Sequence, residues 1–121
     1  MKRLIFIFLC IAAVSAHGQT AKELIGKWKL VKLTKNGEVQ DIVSTYKTDQ
    51  VYQIFMDDNV FQGVVGDNTR KGKWKLSDDN KELIIKISIV KVKFSIDYFD
   101  ANKRIISSDQ TGTLEYEKVG N

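Results

Sequence analysis

The chain has 121 residues, with 19 Lys and Arg against 15 Asp and Glu, one Cys, one His and no Pro. One Cys excludes a disulfide framework within the chain, and one His excludes an imidazole-rich metal cage. A net charge of +4 falls short of the clustered basic footprint that nucleic-acid binding requires.

Lys2 and Arg3 are followed by an unbroken apolar run, Leu4 to Val14, and then by Ser15-Ala16-His17-Gly18-Gln19. A basic start, a short apolar stretch and small residues make a secretory signal peptide, residues 1–18. Cleavage fits after Ala16 or after Gly18, and the second site sets the boundary of one domain over residues 19–121. The run is about half the roughly 20 residues that span a bilayer, so no permanent membrane anchor is expected. Cys10 follows Phe8-Leu9 rather than the small residues of a lipid-attachment site, and reads as part of the apolar run. The expected location is periplasmic or extracellular.

Cleavage changes the chemistry that is left. Cys10 is lost, and His17 is lost or becomes terminal. The folded domain then has no disulfide, no thiol nucleophile and no histidine for a triad, a metal site or acid–base work near neutral pH. The expectation is a protein that is not an enzyme and holds no cofactor or metal. With Lys2 and Arg3 removed, 17 basic residues face 15 acidic ones, a net of +2.

Ala21 to Ile25 reads as one helical turn closed by Gly26. Beyond it the apolar period is two, as in half-buried strands. The predicted strands are Lys27 to Leu33, Glu38 to Val43, Val51 to Met56, Val60 to Val65, Lys71 to Leu76, Glu82 to Ile89, Lys91 to Phe99, Arg104 to Ser108 and Thr113 to Val119. Turn formers separate them, and Asn36-Gly37 has the composition of a type I′ hairpin. Ile89 to Lys91 carries no turn former, so the two flanking strands read equally as one bent strand. Ser44 to Gln50 reads as a loop at one mouth. Short links throughout favour an all-β fold, a single antiparallel up-and-down barrel of about eight strands, over a Greek-key sandwich.

The pentapeptide GKWKL occurs at 26–30 and at 72–76, and holds both tryptophans. Two copies are too few for a propeller. Both read as a strand entered through glycine, with Lys outward and Trp and Leu inward.

LIGKWKLVKL, YQIFMDDNVFQGVV and GKWKLSDDNKELIIKI, taken in order, resemble the compact lipocalin-like domains of secreted Bacteroidetes-type proteins. The resemblance covers most of residues 19–121. It implies an eight-stranded barrel closed at one end, Trp28 packed across the base, and a small apolar or amphipathic ligand inside. The chain departs from larger lipocalins in having no clear Arg after the last strand to cover that Trp, for which Lys118 or Arg104 is the candidate substitute. Alternation puts Trp28, Leu30, Tyr52, Ile54, Met56, Trp74, Leu76, Phe94, Ile96, Tyr98, Leu114 and Tyr116 on the inner face. From these, the candidate ligand-binding residues are Trp28, Tyr52, Ile54, Met56, Trp74, Phe94, Tyr98 and Tyr116.

An eight-stranded barrel is just wide enough for its own side chains or for one small ligand. Two readings follow: a ligand-binding cavity, or a filled barrel that meets a protein or glycan through its loops. The pairs Asp57-Asp58 and Asp78-Asp79 lie in predicted turns and lack calcium-loop spacing, so they read as turn residues. Nothing in the order of acids sets two carboxylates across a cleft.

Overall fold

Strand pairing runs in chain order and then closes on itself. The computed structural model describes residues 21–120; the expected signal peptide and its cleavage site, with Cys10 and His17, lie outside the described residues. The strands are β1 (Gly26–Lys35), β2 (Glu38–Gln40), β3 (Val51–Met56), β4 (Val60–Val65), β5 (Asn68–Leu76), β6 (Glu82–Ile87), β7 (Val90–Phe99), β8 (Lys103–Ser108) and β9 (Gly112–Gly120). Each pairs antiparallel with its neighbour, and β1 also pairs with β9. Eight strands thereby form a closed barrel, and β2 is a short addition on the far end of β1. Closure leaves no long exposed edge.

β1 makes the closure possible by working in two halves. Gly26 to Lys29 pair with β3, whereas Leu33 to Lys35 pair with β2. A register shift between Leu30 and Lys32 in the pairing with β9 lets Leu30 and Leu33 both face inward. The Asn36-Gly37 turn has positive φ at both residues, 53° and 79°, as type I′ requires.

One connection departs from the sequence expectations, and two others sharpen them. The strand expected to reach Val43 stops at Gln40, because Asp41 caps a short helix, α1 (Ile42–Tyr46), by accepting from Ser44 N and Ser44 Oγ at 2.9 and 2.8 Å. That helix takes the first part of the expected mouth loop. The doubtful break near Ile89 is a genuine hairpin, with Ile87 paired to Val90 and Ser88 at φ 56°. At the N-terminal side, residues 21–24 are helical and Gly26 already belongs to β1.

The repeated pentapeptide meets one demand twice. A Cβ on Gly26 would lie 2.7 Å from the carbonyl oxygen of Gly120, and a Cβ on Gly72 would lie 2.2 Å from that of Lys86. In each copy a neighbouring strand's carbonyl occupies the space of a side chain. Two residues on, each tryptophan is buried and its indole N–H donates to a carbonyl, Trp28 to Leu24 at 2.8 Å and Trp74 to Met56 at 3.0 Å. Buried indoles need such an acceptor.

Candidate functional site

The inner face divides into a filled base and an open upper half. At the base, Leu24, Trp28, Phe55 and Arg104 are each buried to about 1% exposure or less. Phe55 meets Phe61 and Trp74 edge-on, at centroid distances of 5.2 and 5.8 Å, and Phe99 leans on Trp28 at 6.0 Å. The guanidinium of Arg104 lies 4.9, 4.8 and 4.3 Å from the ring centroids of Trp28, Phe55 and Tyr116. Lys118 Nζ stands 5.5 Å from the Trp28 centroid and donates to the Glu23 carbonyl at 2.7 Å, tying the N-terminal turn across the end. Both cations named from the sequence therefore cover the tryptophan.

Above this layer is a cavity of about 480 Å³, within the range of small-molecule sites. Its walls include Phe61, Ile85, Val92, Phe94 and Leu114, with Gln53 and Tyr116 toward the base and Tyr46 of α1 toward the mouth. Gly63, at the middle of β4, also lines it. The barrel is neither wholly filled nor wholly hollow.

Of the residues expected inside, Phe94 and Tyr116 line the cavity, and Trp28 and Trp74 are buried without lining it. Leu30, Leu114 and the half-buried Ile96 also join the core.

Tyr52, Ile54, Met56 and Tyr98 require correction. On β3 the inward set is Val51, Gln53 and Phe55, seen in the pairings Val51–Val65, Gln53–Gly63 and Phe55–Phe61 and in the burial of Val51 and Phe55. Tyr52, Ile54 and Met56 therefore take the outer face. Tyr52 borders the cavity, yet Lys27 Nζ lies 4.3 Å from its ring centroid and its hydroxyl donates to Gln50 Oε1. The strand carries apolar residues in both phases, and Gln53 breaks the correct one.

Gln53 belongs inside because it accepts from Arg104, a partner 51 residues away. On β7 a register shift between Ile96 and Tyr98 reverses the alternation. Tyr98 is left 46% exposed, with its hydroxyl donating to Asp100 Oδ2 at 2.6 Å. A bulge of one residue turns every later side chain to the other face.

The electrostatics of the floor are unusual. Burial pulls the Arg104 guanidinium down to about 9. Burial also pushes the Tyr116 hydroxyl up, with the Arg104 cation opposing and Tyr46 adding to the rise. The acidic turns do structural work: Asp79 Oδ1 accepts from Ser77 Oγ and from Lys81 N, while Asp58 and Asn59 adopt positive φ. Among the described residues there is no group of three or more His, Cys, Asp or Glu that could hold a metal ion, and no helix long and apolar enough to cross a membrane.

An eight-stranded meander closed by β1 on β9, plugged by Trp28 and open at the other end, decides the structural class. The fold is lipocalin-like. A lipocalin-like protein from Bacteroides uniformis superposes with a TM-score of 0.65 at 16% identity, over 80% of this chain and 99% of that one. An uncharacterized protein from Bacteroides eggerthii gives 0.65 at 15% identity, over 79% and 99%. A DUF4847 family protein from Bacteroides vulgatus gives 0.52 at 14% identity, over 79% and 94%. No family model matches the chain, and no curated protein matches it in sequence. The lipocalin-like barrel is thus shared in shape with these Bacteroides proteins at low identity.

Proposed function

We propose that this protein is a non-catalytic lipocalin-like barrel that holds one small apolar or amphipathic molecule in its open half. The observation that carries the reading is the cavity of about 480 Å³ with walls of Phe61, Ile85, Val92, Phe94 and Leu114. Apolar ligands gain about 25 cal/mol for each Å² of apolar surface removed from water. The barrel supplies that surface on rigid strands, with Tyr46, Gln53 and Tyr116 among the polar groups of the wall that can orient a ligand. The non-catalytic part rests on residues 19–121, which contain no Cys and no His. The signal-like residues 1–18 support export to the periplasm or beyond.

Gly63→Leu tests the reading. A Cβ at Gly63 meets only Phe61 ring carbons, at 3.4 and 3.6 Å, so the longer side chain projects into the cavity without displacing backbone. Wild-type protein should bind an environment-sensitive anilinonaphthalene dye and release it to apolar competitors. Gly63→Leu, folded by circular dichroism, should bind the dye at least about tenfold more weakly, or about 1.4 kcal/mol. Absence of dye and competitor binding to wild type, or equal binding to the variant, would reject the cavity as the binding site. Recognition through the loops would then be the reading to pursue.

A further inference from the structure

Among the described residues, one cation lines the cavity, another lies beneath its floor, and no anion joins them. Arg70 is on the cavity wall, where no Asp or Glu is present. Arg104 lies directly beneath the floor, since its hydrogen-bond partner Gln53 and its ring partner Tyr116 both line the cavity. Its Nε and Nη1 have no hydrogen-bond partner, and the ion pair present among the described residues joins Lys103 to Glu115 elsewhere. A buried charge ordinarily has a counter-ion, and a buried donor without a partner calls for an explanation.

Three aromatic faces account for the position of Arg104, but not for its charge. Rings offset part of the desolvation of a cation. Methionine, however, would fill the same layer without bringing a charge into it. Tyr116 extends the polar layer toward the mouth, because its hydroxyl feels both Arg104 below and Tyr46 above. Arg70, by contrast, is exposed, so water already screens it and an anion gains less there.

We propose that the ligand is an amphipathic carboxylate bound head-down, its carboxylate on Gln53 and Tyr116 over Arg104 and its chain rising between Phe61, Val92 and Phe94. This rests on the cavity being the ligand site and adds the charge and orientation of what occupies it. Arg104 acts as the counter-charge, and Gln53 and Tyr116 supply the donors that touch the head. Anions fit a cavity with one cation on its wall and another beneath its floor, and neutral molecules of the same length leave that charge uncompensated.

Calorimetric titration of the purified mature protein with dodecanoate and with dodecanol separates the two levels of the reading. Dodecanoate should bind at least about tenfold more tightly. Arg104→Met should bring the two affinities together by weakening dodecanoate alone, and Arg70→Met should keep the preference. Equal wild-type affinities would overturn the carboxylate proposal while leaving the cavity reading intact; no binding of either would overturn both. A preference lost in Arg70→Met and kept in Arg104→Met would overturn the head-down orientation.

Should Arg104→Met fail to fold, carboxyl-¹³C dodecanoate on wild-type protein gives an independent answer. Its bound resonance should stay at the ionised position as pH falls past the point where unbound dodecanoate protonates. A bound resonance that titrates with the unbound acid would overturn the proposal.

Discussion

Arg104 Nη2 donates to Gln53 Oε1, joining β8 to β3 across 51 residues of chain. This contact decides which face of β3 is inside, because it gives the one polar residue of the inward set a partner. Gln53→Leu should therefore destabilise the protein by about 2–3 kcal/mol, as it takes the acceptor from a buried cation. Arg104→Met should cost less, since cation and acceptor need are removed together. In urea unfolding, the double variant should be more stable than Gln53→Leu alone; strictly additive losses would refute the coupling.

Gly72 and Gly63 sit on adjacent inner-face strands yet answer to different constraints. A Cβ at Gly72 would be 2.2 Å from the Lys86 carbonyl oxygen, whereas one at Gly63 meets only ring carbons at ordinary contact. Gly72→Ala should cost about 1–3 kcal/mol through forced backbone displacement. Gly63→Ala should be neutral or stabilising by up to about 1 kcal/mol, through loss of unfolded-state freedom. Paired denaturation curves check the contrast, and equal effects would refute it.

Trp28 joins the N-terminal turn to the barrel through its indole N–H on the Leu24 carbonyl, 2.8 Å away. Trp28→Phe leaves that buried carbonyl without its donor and opens a gap beneath Arg104. A loss of about 2–3 kcal/mol is expected. Limited proteolysis should show cleavage near residues 21–25 before global unfolding, and unchanged protection there would argue against the indole as the tie.

Tyr116 gives the protein a sign-defined response to alkali. Burial raises its pKa above the ordinary value of 10.0, so the folded state keeps a proton that the unfolded chain loses. Stability from this group is complete below about pH 10 and declines as pH rises beyond it. Arg104 acts oppositely, because its folded value of about 9 lies below 12.5: the unfolded chain holds the proton longer, and stability rises with pH across that interval. Tyr116→Phe removes the first effect and, because the two groups interact, takes away the Tyr116 contribution to the Arg104 value as well. Between pH 8 and pH 10.5 the variant should lose about 1 kcal/mol less than wild type in urea unfolding. Equal losses would place the Tyr116 hydroxyl in water.

Much of the architecture was legible because strands announce themselves by alternation and turns by composition. Asn36-Gly37 marked its hairpin, and the two glycine-entered tryptophan strands were read with the correct side inward. The outer placement of Tyr52, Ile54 and Met56 was hidden by a strand with apolar residues in both phases. Tyr98 was hidden by a bulge that leaves no compositional trace in Ile96-Asp97-Tyr98. The hairpin at Ser88-Ile89 went unsignalled because Ser88 carries the positive φ usually left to Gly or Asn.

The cavity wall itself was only partly visible, since Ile85 and Val92 read as ordinary strand residues until the barrel is closed around them. By itself, then, the sequence determined the antiparallel meander, the inward side of the two tryptophan strands and a stretch, residues 19–121, without Cys or His. Those properties depend on local periodicity, turn chemistry and composition. Only the tertiary structure decided that the barrel is filled below and open above, and that Arg104 lies buried beneath the open half without a counter-ion among the described residues. Both depend on which distant side chains meet across the barrel: volume is left where Gly63 and the smaller Val and Ile residues converge, and charge is left uncompensated where no carboxylate reaches.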